Sequence, residues 1–304
     1  MVEYVDVIYA TTIVKNVVYN TNSTSVTGAY LNTYVPAIYT ERGPSWSQGA
    51  AAPFGGRPAV IWAHGGGFTQ GSKDSTGETG AYAMARRGYV AFSIDYRMPQ
   101  PYQPIYSENV AIADMRAAIR WVKTNAATYG VDTTKIVAAG DSAGGFAAFQ
   151  SAISNYEEPN GNNGLMGASS RPAAVLALWP PVTQKSWCLP TAVPQSTNIA
   201  AGNLDICAIV HGLNDGPPLY PAGVAPEESW ALWNYLVAQR GADKPFLTHL
   251  SLGGHTAFTR APFEYPGSPG VPYLNYTKVY QEGFLEDAIG KVCVYLRQKL
   301  GLTG

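Results

Sequence analysis

The amino-acid sequence predicts an α/β fold with a mostly parallel central sheet and helices on both faces. Short apolar segments typical of buried strands alternate with amphipathic, helix-like segments from residue 58 to residue 300. The chain has 304 residues, of which 46% are hydrophobic, so its length suits one large domain. Three long stretches rich in Pro, Gly and Asn interrupt the alternation, and we expect insertions there.

The amino-terminal region predicts antiparallel strands followed by a loop. Runs rich in β-branched residues, DVIYATTIVKNVVY and VTGAYLNTYVPAIY, fill most of the first 40 residues. The segment from Thr40 to Pro58 is rich in Gly, Pro, Ala and Ser, which is typical of a loop. The alternation then begins with PAVIWAH (58–64), an apolar run typical of a buried parallel strand.

The alternation continues with further strands and helices. The longest predicted helix spans residues 107–129, because Ile112, Met115 and Ile119 recur at helical spacing before Gly130 ends the pattern. The other predicted helices cover 77–87, 143–155, 227–240 and 281–300. The further predicted strands cover 89–97, 135–140, 173–179, 206–212 and 246–252.

The three interrupting stretches predict a cap on a single domain spanning residues 1–304. They lie around residues 156–172, 180–205 and 256–280. Each follows a predicted strand or strand–helix unit, and long loops in a compact domain are usually functional or disordered. We therefore expect some of them to cover the ligand-binding edge of the sheet.

Composition excludes several classes of protein. The formal net charge is −1, from 20 basic and 21 acidic residues, and no basic block suggests a nucleic-acid partner. No run of 18 apolar residues exists, so we predict no transmembrane helix. The start, MVEYVDVIYA, lacks a basic stretch followed by an apolar one and does not match a signal peptide. We expect a soluble protein, either cytoplasmic or secreted after loss of a signal, and the oligomeric state stays open.

The three cysteines leave two interpretations open. Cys188, Cys207 and Cys293 suit packed thiols, whereas Cys188 and Cys207 could also form a disulfide across a loop in an oxidising compartment. No C-x-x-C pattern or cluster of His and Cys suggests a metal site.

The segment GDSAGG (140–145) contains a candidate nucleophile, Ser142. It lies between a predicted strand and a predicted helix, where a sharp turn would expose the serine at the carboxyl edge of the sheet. The amide of Ala143, at the start of the helix, would point toward a developing oxyanion. A plain strand-to-helix turn made of small residues is the alternative interpretation.

A serine nucleophile needs a base, and the chain has four histidines. His64 precedes the serine, His211 ends a strand, and His249 lies within one. His255 alone lies downstream on a loop directly beyond a strand, after two glycines. We therefore predict His255 as the general base; a buried histidine bonded to the backbone is the alternative.

The histidine in turn needs a carboxylate, for which Asp215 is the candidate. Asp215 follows the predicted strand 206–212 in the segment HGLND, so it lies at the carboxyl edge. Asp205 and Asp243 precede strands, and Glu227 and Glu228 suit the first turn of a helix. A turn-forming aspartate before Gly-Pro is the alternative for Asp215.

The segment HGGGF (64–68) adds a candidate oxyanion site. Its three glycines follow a predicted strand and leave backbone N–H groups unshielded, so that they can donate to a developing negative oxygen. A flexible turn is the alternative. A glycine triplet, the sharp turn at Ser142 (the elbow, GDSAGG), an acid and a base each lie at the carboxyl edge of the predicted sheet. Together they favour one active site.

These motifs, with DYR (95–97) and GGH (253–255), resemble the α/β-hydrolase fold serine esterases of the hormone-sensitive-lipase-like and carboxylesterase groups. The resemblance covers about residues 58–300 and implies an eight-stranded, mostly parallel sheet with a cap. It implies Ser142 as nucleophile, His255 as base and then acid, and Asp215 as its partner. It further implies that Gly66, Gly67 and Ala143 donate to the oxyanion and that His64 shapes the glycine loop. The segment GPPLYPAGVAPEE after Asp215 is an insertion relative to the family.

The expected activity is hydrolysis of carboxylic esters through an acyl-enzyme on Ser142, with a small-molecule ester as substrate and no cofactor. An amide hydrolase with the same triad and a non-catalytic binding protein of this fold are the alternatives. Aromatic side chains near the predicted site are candidates for the substrate pocket or for core packing. They are Phe68, Trp179, Trp187 and Phe258.

Overall fold

The computed structural model describes most of the predicted sheet and its helices. The described residues are 4, 9–20, 29–37, 39–40, 43–44, 56–97, 107–153, 167–181, 204–213, 215–216, 223–240, 246–250 and 278–302. Most of the three predicted cap insertions lies outside these residues, so the domain organisation stays a prediction.

Eight of the described strands form one sheet, in the order β1-β2-β6-β5-β7-β8-β9-β10. The six strands from β6 to β10 in that order are parallel, whereas β2 runs antiparallel to both β1 and β6. The strands are β1 (Ala10–Asn20), β2 (Ala29–Ala37), β3 (Tyr39–Thr40), β4 (Gly43–Pro44), β5 (Arg57–Ala63), β6 (Val90–Ile94), β7 (Val131–Asp141), β8 (Ala174–Leu178), β9 (Cys207–Gly212) and β10 (Phe246–Leu250). The mostly parallel α/β fold, with antiparallel strands at its amino-terminal end, is confirmed.

Helices follow the parallel strands, close to their predicted bounds. They are α1 (Thr76–Ala85), α2 (Ser107–Thr124), α3 (Ala126–Tyr129), α4 (Ala143–Ile153), α5 (Pro226–Arg240) and α6 (Lys278–Lys299). Helix α5 begins with a proline, which suits the first helical position because the N–H that proline lacks has no partner there. Helix α6 begins three residues before its predicted start, so 278–280 are helical rather than part of the predicted loop.

The prediction of one helix over residues 107–129 was wrong, because the helix is interrupted at Asn125. This residue has a φ of −99° and a ψ of 14°, outside helical geometry. Its side-chain amide donates to the Trp121 carbonyl at 2.8 Å. Asparagine side chains compete in this way with regular helical bonding. The short helix that follows ends at Gly130, as predicted.

The sheet is covered on both faces by separate hydrophobic clusters. Ile61 and Trp62 are neighbours on β5, yet they lie in different clusters because side chains alternate across a strand. Helices α2 and α4 pack on the face of Ile61, with Met115 and Phe146 buried there. Helices α1 and α6 pack on the other face. Double burial accounts for the uninterrupted apolar runs of the parallel strands.

Among the described residues, no helix combines the length and the apolar character that crossing a membrane requires.

Candidate active site

Ser142 lies at the sharp turn between β7 and α4. Its backbone φ is 51°, a left-handed conformation that costs free energy in a residue other than glycine. Hydrogen bonds hold the turn: the Ser142 N–H donates to the Leu178 carbonyl at 2.9 Å, and the Phe146 N–H donates to the Ser142 carbonyl at 2.9 Å. The residue is 9% exposed. The turn therefore presents Ser142 at the carboxyl edge of the sheet, with Ala143 as the first residue of α4.

The turn is closed by contacts that only glycine allows. A Cβ on Gly144 would lie 2.1 Å from the Ala63 carbonyl oxygen, and one on Gly140 would lie 2.4 Å from Gly144 backbone atoms. The end of β5 and the start of α4 thus meet backbone to backbone. This close approach explains why the residues that flank Ser142 in GDSAGG are small.

The glycine loop after β5 lies directly beside Ser142. A Cβ built on Gly65 would be 3.3 Å from the Ser142 Cβ. The Gly66 carbonyl accepts the N–H groups of Thr69 and Gln70 at 3.1 and 3.2 Å. Gly66 and Gly67 have φ values of 122° and 61°. The predicted oxyanion donors Gly66, Gly67 and Ala143 therefore belong to two segments that meet at Ser142.

Asp141 joins the same two segments, and the sequence reasoning missed it. The Gly65 N–H donates to its Oδ2 and the Trp62 indole N–H to its Oδ1, each at 3.1 Å. The carboxylate is buried beside a small cavity that the first turn of α1 also lines, through Thr76 and Thr79. Its position directly before Ser142 was the available signal, but a contact across 76 residues of sequence cannot be read from spacing.

His64 lies directly against the glycine loop. Its ring stacks on Tyr96, with 4.3 Å between ring centroids, and its Nδ1 lies 2.7 Å from the Gly65 carbonyl oxygen. The Tyr96 hydroxyl donates to the His64 carbonyl at 2.9 Å. Burial lowers the pKa of His64, outweighing the opposing hydrogen bond to Gly65 and the nearby Asp95, and burial raises the pKa of Tyr96. These contacts hold the His64 ring against the glycine loop, and the loop-shaping role that the resemblance implies stays a prediction.

The DYR motif ties this half of the site to the body of the domain. Asp95 accepts the Lys73 N–H at 2.7 Å and pairs with its ammonium at 3.2 Å, which fixes the segment after the glycine loop. Arg97 pairs with the buried Asp114 of α2, with 2.9 Å between Nη2 and Oδ1, and its N–H donates to Oδ2 at 2.7 Å. Asp95 therefore holds the segment after the glycine loop, Tyr96 the backbone at His64, and Arg97 helix α2.

Asp215 lies beyond the end of β9, in a buried polar cluster. The Val224 N–H donates to its Oδ1 at 3.0 Å, and its Oδ2 lies 3.2 Å from the His211 Nε2. The Asp215 and His211 side chains are fully buried. Strands β7, β8 and β9 are adjacent and parallel, so Ser142 and Asp215 follow strands that end at the same edge of the sheet.

Two residues that contact Asp215, His211 and Val224, were not predicted from the sequence. The sequence indicates only that His211 lies at the end of a strand, and it indicates no role for Val224. The i, i+4 spacing of His211 and Asp215 was the available signal for the first. Nothing in the sequence pattern indicates that Val224 returns to Asp215 across the inserted segment.

The elbow and the glycine loop fall within the part of the chain that matches a known family. The BD-FAE family model matches residues 51–187. The structure is similar to that of esterase 2 of Thermogutta terrifontis phosphorylated by paraoxon, with 25% identity and a TM-score of 0.61 over 91% of each chain. The chain has the α/β-hydrolase fold. The predicted fold class and the predicted resemblance to esterases of this fold are confirmed.

Curated proteins similar to this chain include esterases from bacteria. Carboxylesterase NlhH of Mycobacterium tuberculosis is 40% identical over 89 residues, which are 29% of this chain and 26% of the relative. Fumonisin B1 esterase of Sphingopyxis macrogoltabida is 30% identical over 136 residues, covering 40% of this chain and 25% of the relative. The chain thus spans about a quarter of the length of each of these relatives.

The histidine side chains His64 and His211 differ in the partners of their ring nitrogens. His211 is engaged at both, with Nδ1 2.6 Å from the Ser229 Oγ and Nε2 2.8 Å from the Val224 carbonyl oxygen. His64 is bound to Gly65 on one side and is buried. His249 lies within β10, as predicted. These placements leave neither His64 nor His211 suited to act as base; the predicted base, His255, lies outside the described residues.

Two of the four candidate pocket aromatics lie in the described part of the chain. Phe68 is buried and makes edge contacts with Tyr96 and Phe146, so it belongs to the core beneath the glycine loop. Trp179 is buried after β8 and lines the small cavity beside Asp141. Trp187 and Phe258 lie outside the described residues. Core packing is therefore the role that the contacts of Phe68 support.

Proposed function

We propose that this protein is a serine carboxylesterase that hydrolyses small to medium esters, aromatic ones included, through an acyl-enzyme on Ser142. The observation that carries the proposal is the strained turn at Ser142 directly against the glycine loop. Similarity to carboxylesterase NlhH and to an esterase that paraoxon phosphorylates supports the reaction class.

In the proposed reaction, His255 takes the hydroxyl proton of Ser142 as the Ser142 oxygen attacks the carbonyl carbon of the ester. The N–H groups of Gly66, Gly67 and Ala143 stabilise the negative oxygen of the tetrahedral intermediate. The intermediate collapses with loss of the alcohol, which takes its proton from His255. Water then attacks the acyl-enzyme, with His255 as base, and the acid leaves as Ser142 regains its proton.

Two local features support these roles for Ser142 and Ala143. The first amides of a helix have no acceptor within the helix, and the N-terminal end of its dipole favours negative charge. Ala143 is the first residue of α4, and the Ser142 carbonyl accepts the first helical hydrogen bond. The Ala143 amide therefore suits an oxyanion donor without any rearrangement of the turn.

Asp215 is the proposed partner of His255 in this scheme. A carboxylate there would keep the proton of the neutral imidazole on the nitrogen that faces away from Ser142 and would stabilise the imidazolium. Its position beyond β9, at the same edge as Ser142, supports the role.

The test is the substitution Ser142→Ala, assayed with p-nitrophenyl acetate and butyrate. We expect hydrolysis to fall by about 10⁴-fold or more, because the attacking oxygen is removed. A fluorophosphonate probe should label the wild type and leave the variant unlabelled. Ser151→Ala is the matched control, since Ser151 is a buried serine on the same helix; it should keep both activity and labelling.

Hydrolysis or labelling that survives in Ser142→Ala would refute the nucleophile. Parallel assays with p-nitroanilides of the same acyl groups separate an esterase from an amide hydrolase. We expect the esters to be turned over faster, and faster turnover of the anilides would replace the proposed ester substrate with an amide.

A further inference from the structure

We propose that His211 is a positioning residue for Asp215: it holds the returning end of the inserted segment through Val224, and this fixes the direction of the Asp215 carboxylate. The inference rests on the proposed role of Asp215 as the acid of the triad. It assigns a role to a buried histidine that the reaction scheme does not use.

The hydrogen bonds of His211 define its part in the cluster. The Val224 carbonyl, 2.8 Å from Nε2, can only accept, so Nε2 carries a proton. The same nitrogen lies 3.2 Å from the Asp215 Oδ2, within reach of a shared donation. On the other side of the ring, Nδ1 lies 2.6 Å from the buried Ser229 Oγ of α5. The imidazole is thereby held between α5 and Val224.

Val224 is fixed at both of its backbone polar groups. Its carbonyl accepts from His211, and its N–H donates to the Asp215 Oδ1 at 3.0 Å. His211 therefore acts on Asp215 in two ways, by its own contact with Oδ2 and through the peptide group that donates to Oδ1. Two donors on different oxygens restrict rotation of the carboxylate.

The first residue of the inserted segment meets a later part of the same segment at this cluster. The chain leaves through Gly216, which has a φ of 83°, and a Cβ there would lie 2.7 Å from the Ala225 Cα. Asp215 and Gly216 thus lie directly against Val224 and Ala225. The backbone N–H that donates to Asp215 therefore belongs to Val224, nine positions further along the chain. Such a donor needs its own support, and His211 supplies it.

The expected consequence is a change in the rate of reaction rather than in substrate binding. A carboxylate that rotates away presents no lone pair to His255, and small misplacements of catalytic groups reduce rates by up to about 100-fold. Neither His211 nor Val224 has a role in substrate binding in the proposed scheme. Loss of His211 should therefore lower kcat and leave KM unchanged.

The experiment compares His211→Gln with His211→Asn, using p-nitrophenyl butyrate. The glutamine amide reaches the position of Nε2 and can donate to the Val224 carbonyl, whereas the shorter asparagine amide reaches only the position of Nδ1. We expect the asparagine variant to lose about 10- to 100-fold in kcat with KM within about twofold. The glutamine variant should lose less, about two- to fivefold, because it keeps the bond to Val224 and loses only the contact with Ser229. Equal losses in both variants, or none in the asparagine variant, would overturn the inference.

A double-mutant cycle with Asp215→Asn separates the inference from the proposed function. If His211 acts through Asp215, adding His211→Asn to Asp215→Asn should cost no further kcat. A large further loss would mean that His211 acts elsewhere, and it would overturn the inference alone. Full activity in Asp215→Asn would instead refute the proposed acid and the inference with it.

Folding is followed in the same samples by urea denaturation. If His211→Asn does not fold, Ser229→Ala decides, because it removes only the partner of Nδ1. A lower kcat with unchanged KM in that variant supports the inference, and an unchanged kcat overturns it.

Discussion

The two halves of the candidate site are held by different kinds of contact. On the nucleophile side, β5, β7 and α4 meet backbone to backbone, with glycines where a side chain would collide. On the acid side, Asp215 is held by hydrogen bonds from Val224 and from a buried histidine. Steric closure leaves few alternative arrangements, whereas a polar cluster keeps its geometry only while every partner is present.

The difference has a consequence for mutations. Substitutions of the close-packed glycines on the nucleophile side should disturb the fold, because the backbone itself must move. Substitutions on the acid side should leave the fold in place and change the rate of reaction. Four predictions test this contrast, and Asp215→Asn has the largest expected effect.

Asp215→Asn should lower kcat by about 10³- to 10⁴-fold, since an amide would favour the wrong tautomer of the base. The urea midpoint should fall modestly: asparagine still accepts the Val224 N–H, but its NH2 group would face the proton on the His211 Nε2. Steady-state kinetics and denaturation on the same sample provide the measurement. Asp205→Asn is the control, as Asp205 precedes β9 at the opposite edge; equal losses in both variants would argue against a specific role for Asp215.

Asp114→Ala should lower the free energy of unfolding by about 3 kcal/mol, because it leaves the Arg97 guanidinium without its buried partner. Chemical denaturation measures the change. Asp287→Ala provides the comparison: Asp287 pairs with Lys291 on the surface of α6, and its loss should cost no more than about 0.5 kcal/mol. Similar values for the two variants would contradict the structural role of the DYR motif.

Gly144→Ala and Gly290→Ala make the same chemical change in two environments. The first introduces a Cβ 2.1 Å from a backbone oxygen and should destabilise the fold by about 3 kcal/mol. The second adds a methyl group in open space on α6 and should stabilise by about 0.5–1 kcal/mol. The urea midpoint should shift down in Gly144→Ala and up in Gly290→Ala. An unchanged midpoint in Gly144→Ala would disprove steric closure of the turn at Ser142.

The smallest expected effect concerns His64 and pH. Burial lowers its pKa in the folded state from an ordinary value of 6.5. Below pH 6.5 the unfolded chain therefore binds a proton at His64 more readily than the folded chain does. The contribution of the buried neutral His64 to the free energy of unfolding is present above pH 6.5 and is lost as the pH falls.

Urea midpoints at pH 7.5 and pH 5.5 should differ more for the wild type than for His64→Gln, which cannot titrate at this position. Equal pH dependence in the two proteins would mean that His64 does not carry this effect.

The fold and the nucleophile turn could be predicted because their signals are local. Residues 58–63 of β5 form an uninterrupted apolar run, and Gly-x-Ser-x-Gly between a strand and a helix indicates the sharp turn at Ser142. Helix α2 was predicted too long because Asn125 bonds to its own helix, a competition that periodicity cannot register. Asp141 and Val224 escaped prediction because their partners, Gly65 and Asp215, are brought near by the tertiary fold.

The outer strand β1 has a further consequence, for the behaviour of the protein in concentrated solution. Its pairing with β2 has two irregularities, between Val14 and Val17 and between Val18 and Asn20, and each places one extra residue on β1. Ile13, Val14 and Val18 are exposed on this edge. Bulges bend and twist an edge strand. A strand from another molecule could then match only short pieces of it, which opposes growth of fibrils from this side of the sheet.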